Sequence, residues 1–213
     1  MPPLPIPQDF KAIDLEIANE LASLGVRDLS VRETEPADSP KIDQIDLENA
    51  ERLKEILAEI KGWPAISRFG TETPKAAWLV ALHATHNPAF QADCLRQMMA
   101  LPANEYDLID RVYLEDRVLI SSGQPQRYGT IWNVVSNPAI DEFDVVPSRM
   151  EDPANVDARR AQVGLPPLAP QKAQMWQALI KPETAAPASP VLPAAPPPPR
   201  PLVAPGSETG IVK

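Results

Sequence analysis

The sequence predicts a mainly α protein: a compact helical domain with room for a small β-hairpin, followed by a disordered proline-rich tail. Three observations lead there. Apolar residues recur at three- and four-residue spacing through most of residues 10–122. Two β-like runs flank a turn signal near residue 138. Ten of the 27 prolines crowd into residues 181–213. The expected organisation is a helical domain over 1–180 and a tail over 181–213.

The elements follow in order. Phe10, Ile13, Ile17, Leu21 and Leu24 fall at helical spacing, and Gly25 reads as the stop of a first helix. Residues 26–42 are polar, contain Pro36 and Pro40, and read as a loop. Residues 43–62 carry an apolar stripe of Ile45, Leu53, Ile56, Leu57 and Ile60. Glu48 can pair with Arg52 and Glu51 with Lys54, and Gly62 ends the helix. "WPAISRFG" reads as a turn whose Trp63, Ile66 and Phe69 plug the core. Thr73 and Pro74 then look like cap and first residue of a helix that is apolar on every side from Ala76 to Leu82. A helix of that kind is buried in the middle of its domain.

Asn87-Pro88 breaks this helix and starts another. Residues 104–122 form the next helix, closed by Gly123. "GQPQRYGTIWNVV" and "DEFDVV", separated by "SNPAI", supply the hairpin. Asp152 and Pro153 open a short helix ending at Gly164, and a last one spans 171–180.

Composition excludes several functions. The net charge is −9, with 14 acidic and 7 basic residues in 1–62 and no basic stripe anywhere, so neither nucleic acid nor an anionic membrane is an expected partner. No run approaches the length of a membrane span, and the N-terminus lacks the charge and apolar segment of a signal peptide. One cysteine, Cys94, forbids an intrachain disulfide and suits a cytoplasmic protein; it reads as a small buried hydrophobe. The tail cannot bury enough apolar surface to order itself. Its PxxP spacing offers a docking segment for a protein partner, and a solubilising or tethering role is the plainer reading.

Chemistry has few places to sit. No Walker loop, Rossmann glycine pattern or G-x-S-x-G elbow occurs, and no cofactor is expected. His83 and His86 are the two histidines. His86, in a last helical turn, is explained by the C-terminal dipole. A metal would need a third ligand; no Cys cluster, HExxH or further His provides one, an Asp or Glu from elsewhere could, and no metal is the expectation. His83 falls inside the apolar helix, buried or at a pocket edge. Asp116 lands in the centre of an apolar face formed by Ile109, Val112, Tyr113 and Ile120, with Arg117 at its edge. A carboxylate there must be paired. Arg159 or Arg160 would make it a structural ion pair; His83 would make it the orienter of a base. Gln126, Tyr128 and Thr130 surround Gly129 in "QPQRYGT", either a packing turn or a pocket wall.

"DLENAERLKEIL", "GWP", "AAWLVALHATHNPAFQ", "YLEDRVLISSGQPQRYGT" and "DPANVDARRAQVGLPPL", in that order over roughly residues 43–169, resemble a bacterial family known only as domain of unknown function 6624. The resemblance carries over Trp63, Pro64, Trp78, His83, Phe90, Gln91, Asp116, Arg117, Gln126, Tyr128, Gly129, Arg159 and Arg160. The chain departs from the family pattern at Leu82 and Thr85, where Gln and Asp flank the histidine, and at Ile131, where Gln follows Gly-Thr. No activity comes with the resemblance.

The leading expectation is a small-molecule-binding domain whose polar pocket gathers His83, Asp116, Arg117, Gln126, Tyr128 and Arg160 around a small anionic or polar ligand. His83 and Asp116 are the candidate catalytic residues of a hydrolase-like alternative, with His83 as general base. A protein-interaction module and a buried network without ligand are the other readings.

Overall fold

The computed structural model describes residues 12–137 and 142–180. The tail expected over 181–213 lies outside them. Helix α1 spans Ala12–Thr34, α2 Pro40–Ile60, α3 Ile66–Phe69, α4 Glu72–His83, α5 Pro88–Met99 and α6 Leu108–Ser121. Strands β1 (Trp132–Asn137) and β2 (Glu142–Pro147) follow, then a 3-10 turn at Pro153–Asn155, α7 (Val156–Gln162) and α8 (Leu168–Ile180). The expected mainly helical class with one hairpin is the observed one.

Helix α4 sits in the middle, packed against α1, α2, α3, α5 and α6. Its Ala77, Trp78, Val80, Ala81 and Leu82 are all buried, as its all-round apolar surface requires. Leu21 and Leu24 of α1, Leu53, Ile56 and Leu57 of α2, and Val112 and Leu114 of α6 close the core around it. Trp78 meets Tyr113 edge-on, their ring centroids 6.4 Å apart.

Helix α1 differs from expectation: it runs nine residues past Gly25. Gly25 is buried against α4, and a Cβ built on it would lie 3.4 Å from the Cβ of Ala76. The glycine is therefore a point of close helix approach rather than a stop. The continuation buries Asp28 and Val31 and leaves Arg32 half-buried. The apparent loop 26–42 shrinks to residues 35–39, and α2 starts on Pro40, capped by Ser39.

Smaller revisions have local causes. Helix α4 begins at Glu72, and the Thr73 hydroxyl donates to the Phe69 carbonyl at 3.1 Å instead of capping. Glu48 pairs with Arg27, and Arg52 with Glu20, because α1 reaches α2's exposed charges; Arg52 also meets Glu55 within α2. Asp107, whose side chain accepts from the N–H groups of Ile109 and Asp110, starts α6 four residues late. Asp152 has φ 39° and makes no cap bond, so a 3-10 turn precedes α7. Asn87 does cap α5, accepting from Phe90 N–H at 3.1 Å. The hairpin is antiparallel, with Trp132 opposite Pro147 and Val134 opposite Val145, and α8 packs on β2.

Candidate functional site

A cavity of about 200 Å³ opens where α1, α2, α4, α6, the start of β1 and α8 converge. Arg32, Asp43, Asp46, His83, Tyr113, Arg117, Thr130 and Gln171 give it polar walls. Ile42, Leu82, Ile131, Trp132 and Met175 give it apolar ones.

His83 ends α4, and its Nδ1 lies 2.8 Å and 3.0 Å from the two carboxylate oxygens of Asp28. Asp28 is almost fully buried. One turn on, Arg32 donates to Asp28 at 3.0 Å and makes a two-pronged bond to Asp46, both at 2.7 Å. A hydrogen-bonded chain thus runs His83–Asp28–Arg32–Asp46. A carboxylate facing Nδ1 makes that nitrogen a proton donor and orients the ring. Nε2 makes no hydrogen bond among the described residues. Burial holds the Asp46 carboxyl above its ordinary range, against the opposing pull of Arg32.

Asp116 is not the partner of His83, nor of Arg159 or Arg160. Its carboxylate accepts the backbone N–H groups of Arg127 (2.7 Å), Tyr128 (3.1 Å) and Thr130 (3.0 Å), and the Thr130 hydroxyl (2.9 Å). Burial still raises its pKa. The Gln126 amide donates to the carbonyls of Ile131 and Ser148 at 2.9 Å and accepts Ile131 N–H at 2.8 Å. Arg160, fully buried, donates to the carbonyls of Tyr128 and Pro166 at 2.6 Å and to Gln171. The Tyr128 ring is buried, with Arg111 3.5 Å from its hydroxyl. Gly129 has φ +68°, and a Cβ there would sit 2.7 Å from Leu168.

The six residues expected to form one pocket therefore divide. His83 and Arg117 line the cavity. Asp116, Gln126, Tyr128 and Arg160 hold the 126–131 loop, whose far end places Thr130, Ile131 and Trp132 in the cavity wall. Sequence reading missed Asp28, Arg32 and Asp46. The Asp28–Arg32 spacing of four was the available signal, hidden by reading Gly25 as a stop.

Arg117 has no ion pair or hydrogen bond among the described residues, and its Nε is buried without an acceptor. Burial lowers its pKa. Trp132 Nε1 is likewise buried without an acceptor. His86 is exposed in the turn after α4, so the two histidines do not share a site. No group of three or more potential metal ligands occurs among the described residues, and no helix among them is long and apolar enough to cross a membrane.

Leu82, Thr85 and Ile131, where the chain departs from the family pattern it resembles, all line this cavity. No curated protein and no solved structure matches the chain. The family of unknown function DUF6624 matches residues 31–177, well over half of the 213, and the chain belongs to that family.

Proposed function

We propose that the protein binds a small monocarboxylate in the cavity between α1, α2, α4, α6 and the hairpin, with Arg117 as the anchoring cation. The observation that carries this reading is the imbalance at Arg117. Arg32 and Arg111 are half-buried on the same elements, and each has a carboxylate within salt-bridge distance. Arg117 has none among the described residues. Arg117 is itself half-buried, with its Nε sealed from solvent; a partly desolvated cation without a counter-charge is costly, and a ligand carboxylate is the group that would relieve it, by a charge-assisted and often bidentate bond.

Charge and size narrow the ligand. Asp43 and Asp46 on the opposite wall would repel a phosphate dianion more than a monoanion, and no glycine-rich loop cradles phosphate. A cavity of about 150 Å³ holds benzene, so about 200 Å³ suits a short acyl chain or one ring with its carboxylate. Ile42, Leu82, Ile131, Trp132 and Met175 would receive the apolar part.

Thermal shift with acetate, butyrate, benzoate and inorganic phosphate tests the proposal, on wild type beside Arg117→Met. A ligand at about 100 times its Kd stabilises by about 2.7 kcal/mol, equivalent to roughly 5–10 °C in a domain of this size. Butyrate or benzoate should raise Tm in wild type and leave Arg117→Met unmoved. Equal shifts in both proteins, or a response to phosphate only, would reject it.

A further inference from the structure

We propose that the same cavity is a hydrolytic site for small uncharged carboxylic esters, in which His83 is the general base, Asp28 its positioning residue and Arg117 the group that receives the charge developing on the carbonyl oxygen. This rests on the carboxylate reading above and extends it: the bound monocarboxylate becomes the acid product.

The geometry at His83 is what a base needs. Both Asp28 oxygens lie within 3.0 Å of Nδ1, which fixes the ring and the tautomer and stabilises the imidazolium that forms on proton uptake. Arg32, itself paired with Asp46, in turn holds Asp28. His83 lines the cavity with its side chain 17% exposed, and its Nε2 is unengaged among the described residues. Arg117 lines the same cavity. An ester carbonyl is neutral and an oxyanion is not, so the cation stabilises the transition state more than the substrate.

The step balances with water as co-reactant. Nε2 takes a proton from water as the water oxygen bonds to the carbonyl carbon and the carbonyl electron pair moves to oxygen beside Arg117. The tetrahedral species then re-forms its carbonyl, the ester C–O bond breaks, and the imidazolium returns the proton from Nε2 to the leaving alkoxide. An acid and an alcohol result, and His83 is neutral again.

Hydrolysis of p-nitrophenyl acetate and p-nitrophenyl butyrate by the full chain tests this. His83→Gln should lower kcat at least 100-fold, the ordinary worth of a general base, while His86→Gln matches wild type. Asp28→Asn should lower kcat at similar KM and displace the rising limb of the pH–rate profile. Asp28 touches His83, and Arg32, Asp43, Asp46, Tyr113 and Arg117 are the other charged or titratable groups of the cavity it lines. The benzoate thermal shift on each variant shows that the cavity persists. Should Asp28→Asn fail to fold, the His83→Gln comparison still decides. Wild-type hydrolysis no faster than His83→Gln overturns the hydrolytic proposal. If benzoate still binds, the carboxylate reading stands; if it does not, both fall.

Discussion

Arg117 and Asp116 are neighbours in sequence with opposite fates, and the contrast explains both. Asp116 is a buried carboxylate surrounded by four donors, which oppose without cancelling the cost of its burial. Arg117 is a cation that the described residues leave unbalanced. Replacing it by methionine, of similar length and no charge, should therefore raise the Tm of the ligand-free protein by about 2–4 °C, the equivalent of about 1 kcal/mol. A structural arginine would give the opposite sign, and a calorimetric scan distinguishes them. That Asp116 must be satisfied was legible in the sequence from its place on an apolar face. Its partners were not, because three of the four donors are backbone N–H groups, which every residue but proline carries. His83 was legible as a histidine in an apolar helix; Asp28 was not, being one polar residue in a stretch that looked like a loop.

Helix α1 is the element on which the site depends most, and the one read least well. Its second half has weak apolar periodicity, since Asp28 and Arg32 take buried or half-buried places that apolar residues usually fill. Gly25 added a local stop signal that tertiary packing overrides: α1 and α4 come into contact there, a Cβ on Gly25 lying 3.4 Å from that of Ala76, so a large side chain would meet α4. Gly25→Leu should destabilise by about 1–3 kcal/mol through overpacking and move Asp28 away from His83. Urea denaturation and carboxylate binding of that variant check both effects, and a fully stable, ligand-responsive Gly25→Leu would mean the contact is not tight. By contrast α4 was legible because its apolar residues surround the axis. The hairpin was legible because turn residues separate two β-branched and aromatic runs. Their lateral partners were not, since which helix meets which face depends on contacts distant in sequence.

At the scale of the molecule, the fold buries acids that lack full compensation. Asp110 is 3% exposed and pairs with Lys75, yet burial raises its pKa to about 6 from the ordinary 3.8. The folded chain holds that proton more tightly than the unfolded one. The stabilisation is thus complete below about pH 4 and is lost as pH rises through about 6. Burial shifts Asp46 and Asp116 the same way. Urea midpoints measured between pH 4 and 7 should show a flatter profile for Asp110→Asn than for wild type; identical profiles would assign the pH dependence elsewhere. The helical class, the hairpin and the family could be read from the sequence, but the cavity belongs to the whole. It needs α1, α2, α4, α6, β1 and α8 together, and no one segment carries its signature.

The central claim is that a carboxylate binds at Arg117, and a two-dimensional 1H–15N NMR titration with butyrate tests it most directly. Arg117 Nε and Trp132 Nε1 are donors without acceptors among the described residues. Both signals should shift saturably as butyrate is added, and the Trp132 signal should stay still in Arg117→Met. Signals at both positions that do not move, or a Trp132 shift that survives Arg117→Met, would contradict the account.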